Sequence, residues 1–153
     1  MFLRRSSVNY VFFGKDLLAD LVVRIHMQCG LFCVKSEIPG HKSMLVNITA
    51  RAGSIEDNKL GGWYGYRMAK CALNMANRSL SIELGRGKNK VTCLLLNPGV
   101  VETDLSRPYH KSVPKDHLLS SDKAAEMLFQ IMDRTTFKET GNFYDVDGSL
   151  LPN

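Results

Sequence analysis

Two short apolar runs, Met44 to Thr49 and Val91 to Leu96, stand on either side of a long stretch with helical periodicity. Each is of strand length. The first is bounded by Pro39-Gly40 and Ala52-Gly53, and the second runs into Asn97-Pro98-Gly99. Unbroken apolar runs between turn residues suit strands covered on both faces, as in parallel sheets. Between them the spacing predicts a helix from about Tyr64 to Leu84, with Ala69, Leu73, Ala76, Leu80 and Leu84 on one apolar stripe. Gly85 and Gly87 supply its stop. Ser120 or Ser121 caps a second helix from Asp122 to about Arg134, with Asp122 at its positive end and Ala124, Ala125, Leu128, Ile131 and Met132 on its apolar side. A last strand, Asn142 to Val146, turns at Asp147-Gly148. Strand, helix, strand, helix, strand is the order of an α/β sheet with flanking helices.

Tyr66 and Lys70 fall four apart near the start of the long helix, so the phenol and the ammonium share one face. A free phenol has a pKa of about 10, and a neighbouring positive charge favours its anion. A tyrosine so placed can exchange a proton with an alcohol or a carbonyl oxygen. Tyr64 is the competing tyrosine, but Met68 stands four residues on and cannot activate it. The spacing by itself is also met by a half-buried tyrosine beside a surface lysine.

The surrounding segments add to the pair. Asn47-Ile48-Thr49-Ala50-Arg51-Ala52-Gly53, then Gly61-Gly62-Trp63-Tyr64-Gly65-Tyr66-Arg67-Met68-Ala69-Lys70, then Asn97-Pro98-Gly99-Val100-Val101-Glu102-Thr103 resemble the back half of the short-chain dehydrogenase/reductases. The resemblance runs from about Met44 to Asn153. Arg-Ala-Gly-Ser-Ile and the closing Gly141-Asn142-Phe143-Tyr144-Asp145-Val146-Asp147-Gly148 are most similar to the C-factor-like branch. It implies a partial Rossmann-like, doubly wound parallel sheet with about three strands present. It also implies an NAD(P)-dependent oxidoreductase acting on a small-molecule carbonyl or secondary alcohol. By resemblance, Tyr66 is the general acid/base, and Lys70 lowers its pKa and holds the nicotinamide ribose. Pro98, Gly99, Val101 and Thr103 seat the nicotinamide, and the helix carrying Tyr66 serves a homodimer. Residues 105 to 119 have no clear periodicity; they correspond to a substrate lid, and an inert surface loop fits them equally.

Three departures from the pattern bear on function. The family stretch ends in two serines, the second donating a hydrogen bond to the substrate oxygen, and here that position is Ala50. Thr49 and Ser54 are the candidate substitutes; Thr49 is expected to point to the opposite side of the strand. The family asparagine that holds a relay water follows a valine at a helix start, and Val8-Asn9 is the candidate pair, with Asn9 as an ordinary loop residue the alternative. No Gly-x-x-x-Gly-x-Gly or Gly-x-Gly-x-x-Gly occurs, so the turn that cradles the pyrophosphate has no counterpart in this sequence. The expected organisation is an N-terminal segment, 1–43, with one amphipathic helix from about Gly14 to Gln28, and a C-terminal part of a family domain, 44–153. On that reading the chain is truncated, and the cofactor, NADP or NAD, is implied by resemblance alone. The alternative is an inactive fragment acting as a subunit, whose Met44 to Thr49 strand presents an exposed edge to a partner.

Composition narrows the remaining classes. With 44% hydrophobic and 23% charged residues the chain suits a globular fold, and no run of eighteen apolar residues suggests a membrane span. The net charge of +5 is spread among acidic residues, and its tightest cluster, Arg86, Lys88 and Lys90, reads as a solvated turn rather than a nucleic-acid surface. His26, Cys29, Cys33 and His41 match no standard zinc spacing, so no metal site is expected. The four cysteines read as free thiols of a cytoplasmic protein.

Overall fold

The computed structural model describes the backbone of residues 4–5, 8–11 and 31–34, and both backbone and side chains of 43–86 and 90–153. In chain order the strands are β1 (Arg4–Arg5), β2 (Val8–Val11), β3 (Leu31–Val34), β4 (Ser43–Ile48), β5 (Val91–Leu96), β6 (Val100–Val101), β7 (Leu118–Leu119) and β8 (Phe143–Tyr144). Helix α1 spans Tyr64–Glu83 and α2 spans Ser121–Arg134. The expected helix over 14–28 lies outside the described residues, as do His26, Cys29 and His41.

The main sheet has the order β1-β2-β3-β4-β5-β8, and β4, β5 and β8 are its parallel part. This is the three-stranded parallel sheet with flanking helices that the sequence pattern implies. β4 and β5 pair in register from Ser43 opposite Val91 to Ile48 opposite Leu96. Their carboxyl ends therefore finish level. Thr49 N–H donates to Leu96 O at 2.9 Å, and Asn97 N–H to Tyr144 O at 2.8 Å, so three chain segments leave the sheet side by side. Catalytic and binding groups of open α/β sheets collect beyond such ends.

The far edge of β4 differs from expectation. β3 pairs antiparallel with it, Leu31 opposite Asn47 through Val34 opposite Met44, so the backbone groups expected to be exposed there are taken by the chain's own N-terminal segment. Asn9 lies in β2, paired with Arg4, rather than at a helix start.

The two faces of the parallel strands are chemically different. Side chains alternate across a strand, and Met44, Val46, Leu94 and Leu96 pack with Ile131, Met132 and Tyr144 in one apolar cluster under α2. The α2 cap is Ser120, whose hydroxyl accepts from Lys123 N–H at 3.3 Å. Under α1 the seam is polar. Asn47 Nδ2 donates to Asn77 Oδ1 at 2.9 Å, and Thr49 Oγ1 donates to Asn74 Oδ1 at 2.7 Å, all four residues being buried.

Consequently the buried face of α1 is Lys70, Leu73, Asn74, Asn77 and Ser81. Of the apolar stripe expected from sequence only Leu73 is buried; Ala76, Leu80 and Leu84 are half-buried and Ala69 is exposed. The helix turns this face inward with asparagines and a threonine paired across the seam, each bond sparing a buried polar group the cost of being unpaired, while Asn47 Oδ1, Asn74 Nδ2 and Asn77 Nδ2 have no partner among the described residues. Asn77→Ala would leave the Asn47 amide without its acceptor. Urea unfolding is expected to show a loss of about 1–3 kcal/mol, whereas a loss within error would mean the seam contributes nothing.

Candidate active site

Between β4 and α1 the chain makes a 3₁₀ turn, Arg51–Gly53, and an exposed loop. The turn packs closely on α1. A Cβ added to Gly53 would lie 2.7 Å from Lys70 Cβ and 2.9 Å from Lys70 C, so only glycine allows the contact. It covers Lys70, which is 5% exposed although it carries an ammonium group. Lys70 Nζ sits 5.5 Å from the centroid of the half-buried Tyr66 ring. The pair expected from the four-residue spacing is thus brought together on the inner side of α1's first turns. Tyr64, by contrast, is 78% exposed.

The start of α1 is built by an uncommon backbone. Gly61, Gly62 and Trp63 have φ of 63°, 66° and 51°, three successive left-handed residues. For tryptophan this conformation costs roughly 1–2 kcal/mol. Arg67 holds the turn: its Nε donates to the carbonyls of Gly61 and Gly62 at 3.2 and 3.1 Å, and its Nη1 to Ala52 O at 3.2 Å. The left-handed turn and the 3₁₀ turn are thereby tied to one guanidinium. The indole of Trp63 meets the Tyr66 ring edge to face, with centroids 6.2 Å apart, and the Tyr109 ring at 5.3 Å.

The other sequence candidates fall into separate roles. Ala50, half-buried and extended, begins the 3₁₀ turn and has no donor to offer. Thr49 turns to the α1 seam and spends its hydroxyl on Asn74, as strand alternation predicts. Ser54 is buried and its Oγ accepts from Asp57 N–H at 3.0 Å, closing the loop. Arg51 also holds that loop: its guanidinium pairs with Asp57 and Asp145, and Asp57's hydrogen bond raises its pKa above the ordinary value.

At the end of β5, Gly99 has φ +70° and an added Cβ would meet Val146 Cγ1 at 3.2 Å. The turn Pro98-Gly99 is therefore fitted against the chain leaving β8. Val101 lies in β6, beside Leu119 of β7. Thr103 is exposed and opens a compact turn in which Ser106 Oγ accepts from Thr103 N–H at 3.1 Å and lies 2.7 Å from His110 Nε2. Glu102, Thr103, Asp104, Arg107 and His110 line an open depression of about 430 Å³. Tyr66 and Lys70 do not line it; the bridge between the two places is the Trp63–Tyr109 contact. Sequence inspection missed Trp63, Arg67 and Tyr109. Gly-Gly before a helix start was a signal for the left-handed turn, but nothing in the aperiodic 105–119 stretch announced Tyr109.

No family model matches the chain. Over 108 residues it is 37% identical to C-signal of Myxococcus xanthus, the match covering 71% of this chain and 60% of that protein. Among solved structures it is similar to the carbonyl reductase Sniffer of D. melanogaster, with 33% identity and a TM-score of 0.62 over 72% of this chain and 41% of that one. An NADPH-bound carbonyl reductase from chicken fatty liver gives 28% identity and a TM-score of 0.63 over 73% and 43% of the two chains. The chain thus spans less than two thirds of the length of each of these proteins.

Proposed function

From the premise that the chain belongs to the short-chain dehydrogenase/reductases, we propose that it is an NAD(P)-dependent oxidoreductase acting on a small-molecule carbonyl or secondary alcohol. The observation that carries this reading is the buried Lys70 beside the half-buried Tyr66. Desolvation of an ammonium is costly, and a developing phenolate beside it would be stabilised by the same charge. Tyr66 would pass its proton to the substrate oxygen on reduction and take it back on oxidation. General acid/base catalysis of this kind contributes about 10²–10⁴ in rate.

The residues present fit the nicotinamide end of a dinucleotide. Lys70 would hold the ribose, while the glycine-fitted Pro98-Gly99 turn, Val101 and Thr103 would hold the ring. The dinucleotide, NADP or NAD, would supply the hydride; NADPH is the form bound by the chicken relative. The sequence has no glycine-rich turn for the pyrophosphate, so we propose that residues 44–153 are a C-terminal part of the family domain. Asn9 as the holder of a relay water, and Ser54 or Thr49 as stand-ins for the serine donor, belong to the same proposal. Of these two Ser54 is the better placed, since the Thr49 hydroxyl donates to Asn74.

The test is turnover of a carbonyl panel with NADPH and NADH. Tyr66→Phe is expected to lower kcat by about 10²–10⁴, and Ala50→Ser, which restores a donor at the family's position, to raise it by roughly 10²–10³. Unchanged turnover in Tyr66→Phe would remove the tyrosine from the chemistry.

A second reading, a subunit that associates through α1, is favoured by the outer face of that helix. Met68, Met75 and Ile82 recur every seven residues there and are 66%, 66% and 43% exposed. We propose a homodimer through this face; Met75→Lys is expected to shift sedimentation to the monomer, and a native chain that sediments as a monomer contradicts it. No helix among the described residues is long and apolar enough to cross a membrane. Cys71 is a half-buried thiol outside any disulfide, which supports placing the protein in the cytoplasm; recovery in a secreted fraction would count against that.

A further inference from the structure

The three parallel strands are tied at their carboxyl ends by more than backbone pairing. β5 lies between β4 and β8. Neighbouring strands are about 4.8 Å apart, so the segments leaving the two outer strands are separated by about 10 Å. A long side chain is needed to join them. Arg51, in the 3₁₀ turn after β4, does so: its Nη1 lies 3.7 Å from Oδ2 of Asp145, the residue that follows β8. The pair therefore spans the end of β5. Through its Nε the same guanidinium holds Asp57 and closes the 51–57 turn.

The carboxylate has two further partners. Asp145 Oδ1 accepts from Asn97 Nδ2 and from Val146 N–H, each at 2.8 Å. Asn97 is the first residue after β5 and leads directly into Pro98-Gly99, and Val146 is the residue against which Gly99 is fitted. One side chain, 16% exposed, thus meets a donor from the exit of each parallel strand. Its two oxygens divide these partners, Oδ1 facing the Pro98-Gly99 side and Oδ2 the 51–57 side. The closing turn does not require either outward contact, because Asp145 N–H donates to Ser149 O at 2.9 Å and Gly148 N–H to Asp145 O at 2.8 Å.

We propose that Asp145 is a positioning residue whose carboxylate fixes the Pro98-Gly99 turn and the 51–57 turn relative to one another. Gly53 of the second turn packs on Lys70, so the same carboxylate sets the spacing between the part that would seat the nicotinamide and the part that would hold its ribose. That consequence rests on the oxidoreductase reading; the tie between the two turns does not. The two arms differ in strength. Hydrogen bonds to a charged, largely covered acceptor are stronger than neutral ones, whereas Arg51 is 58% exposed and an ion pair there contributes little. An asparagine at position 145 would separate the arms, since its amide keeps an oxygen for Asn97 and Val146 but presents an uncharged NH₂ group to Arg51.

Amide hydrogen exchange of the full chain, followed by NMR without any dinucleotide, reads both arms. Gly53 N–H, bonded to Ala50 O, reports the 51–57 turn, and Asn97 N–H, bonded to Tyr144 O, reports the entry to Pro98-Gly99. Asp145→Asn is expected to raise exchange at Gly53 by about 2- to 5-fold and to leave Asn97 unchanged. Asp145→Ala should raise both, Asn97 by about 3- to 10-fold. Arg51→Leu should reproduce the Asp145→Asn pattern. In Asp145→Asn, an unchanged Gly53 or an equal rise at every amide would overturn the tie, as would an unchanged Asn97 in Asp145→Ala. A titration of the same proteins with NADPH reads the positioning role: the affinity should fall several-fold in Asp145→Ala and be partly restored in Asp145→Asn. An affinity unchanged in both variants would overturn that role. A native chain that does not bind NADPH while the exchange pattern holds would instead be the failure of the oxidoreductase reading.

Discussion

The approach of one backbone turn to one helix governs the candidate site. Gly53 rests on α1 at Lys70 with no room for a methyl group, and this contact sets how deeply the first turns of α1 sit over the ends of the parallel strands. With α1 at that depth, the Lys70 ammonium is removed from water beside the Tyr66 ring. A side chain at position 53 would push the helix outward and return the lysine to solvent, where a neighbouring charge is largely screened. The Arg67 grip on Ala52, Gly61 and Gly62 acts on the same contact from the other side, joining the 3₁₀ turn to the residues that lead into the helix. The geometry of the pair is thus a property of backbone packing and of one arginine, more than of the pair itself.

Depth having been set by glycine, rotation is set by amides. The Asn47–Asn77 and Thr49–Asn74 hydrogen bonds fix which face of α1 meets the sheet. Each pairs a residue in β4 or directly after it with a residue one or two turns beyond Lys70. Such bonds contribute modestly when made and cost much when broken inside a protein, so they discriminate between rotations of the helix more than they add stability. One rotation directs Lys70 inward and leaves Met68, Met75 and Ile82 outside. The polar seam and the apolar outer face therefore share one cause.

Much of this was legible in the sequence where the signal was local. The strand Val91–Leu96 and the helix Tyr64–Glu83 with Leu84 as its C-cap lie where periodicity and turn residues place them. The Tyr66–Lys70 proximity followed from helix geometry alone. What failed needed partners distant in sequence. The stripe of Ala69, Leu73, Ala76, Leu80 and Leu84 satisfied the helical period but not the seam, because periodicity counts apolar residues and cannot register that Asn74 and Asn77 find partners on β4. The free edge expected on β4 is occupied by β3, a segment whose own sequence gave no strand signal. The Trp63–Tyr109 contact joins a helix start to a loop without periodicity, and no spacing rule reaches that far. Ala50 stands just past the end of β4 as the extended residue before the 3₁₀ turn.

The most direct test of the account is a titration of the folded chain with NADPH followed by nucleotide fluorescence. If the buried lysine, the Pro98-Gly99 turn and Thr103 constitute the nicotinamide end of a dinucleotide site, the signal should saturate and the affinity should fall in Lys70→Met. No saturable signal up to millimolar NADPH or NADH, in a chain shown to be folded, would contradict the claim that this part of the fold binds a nicotinamide cofactor by itself.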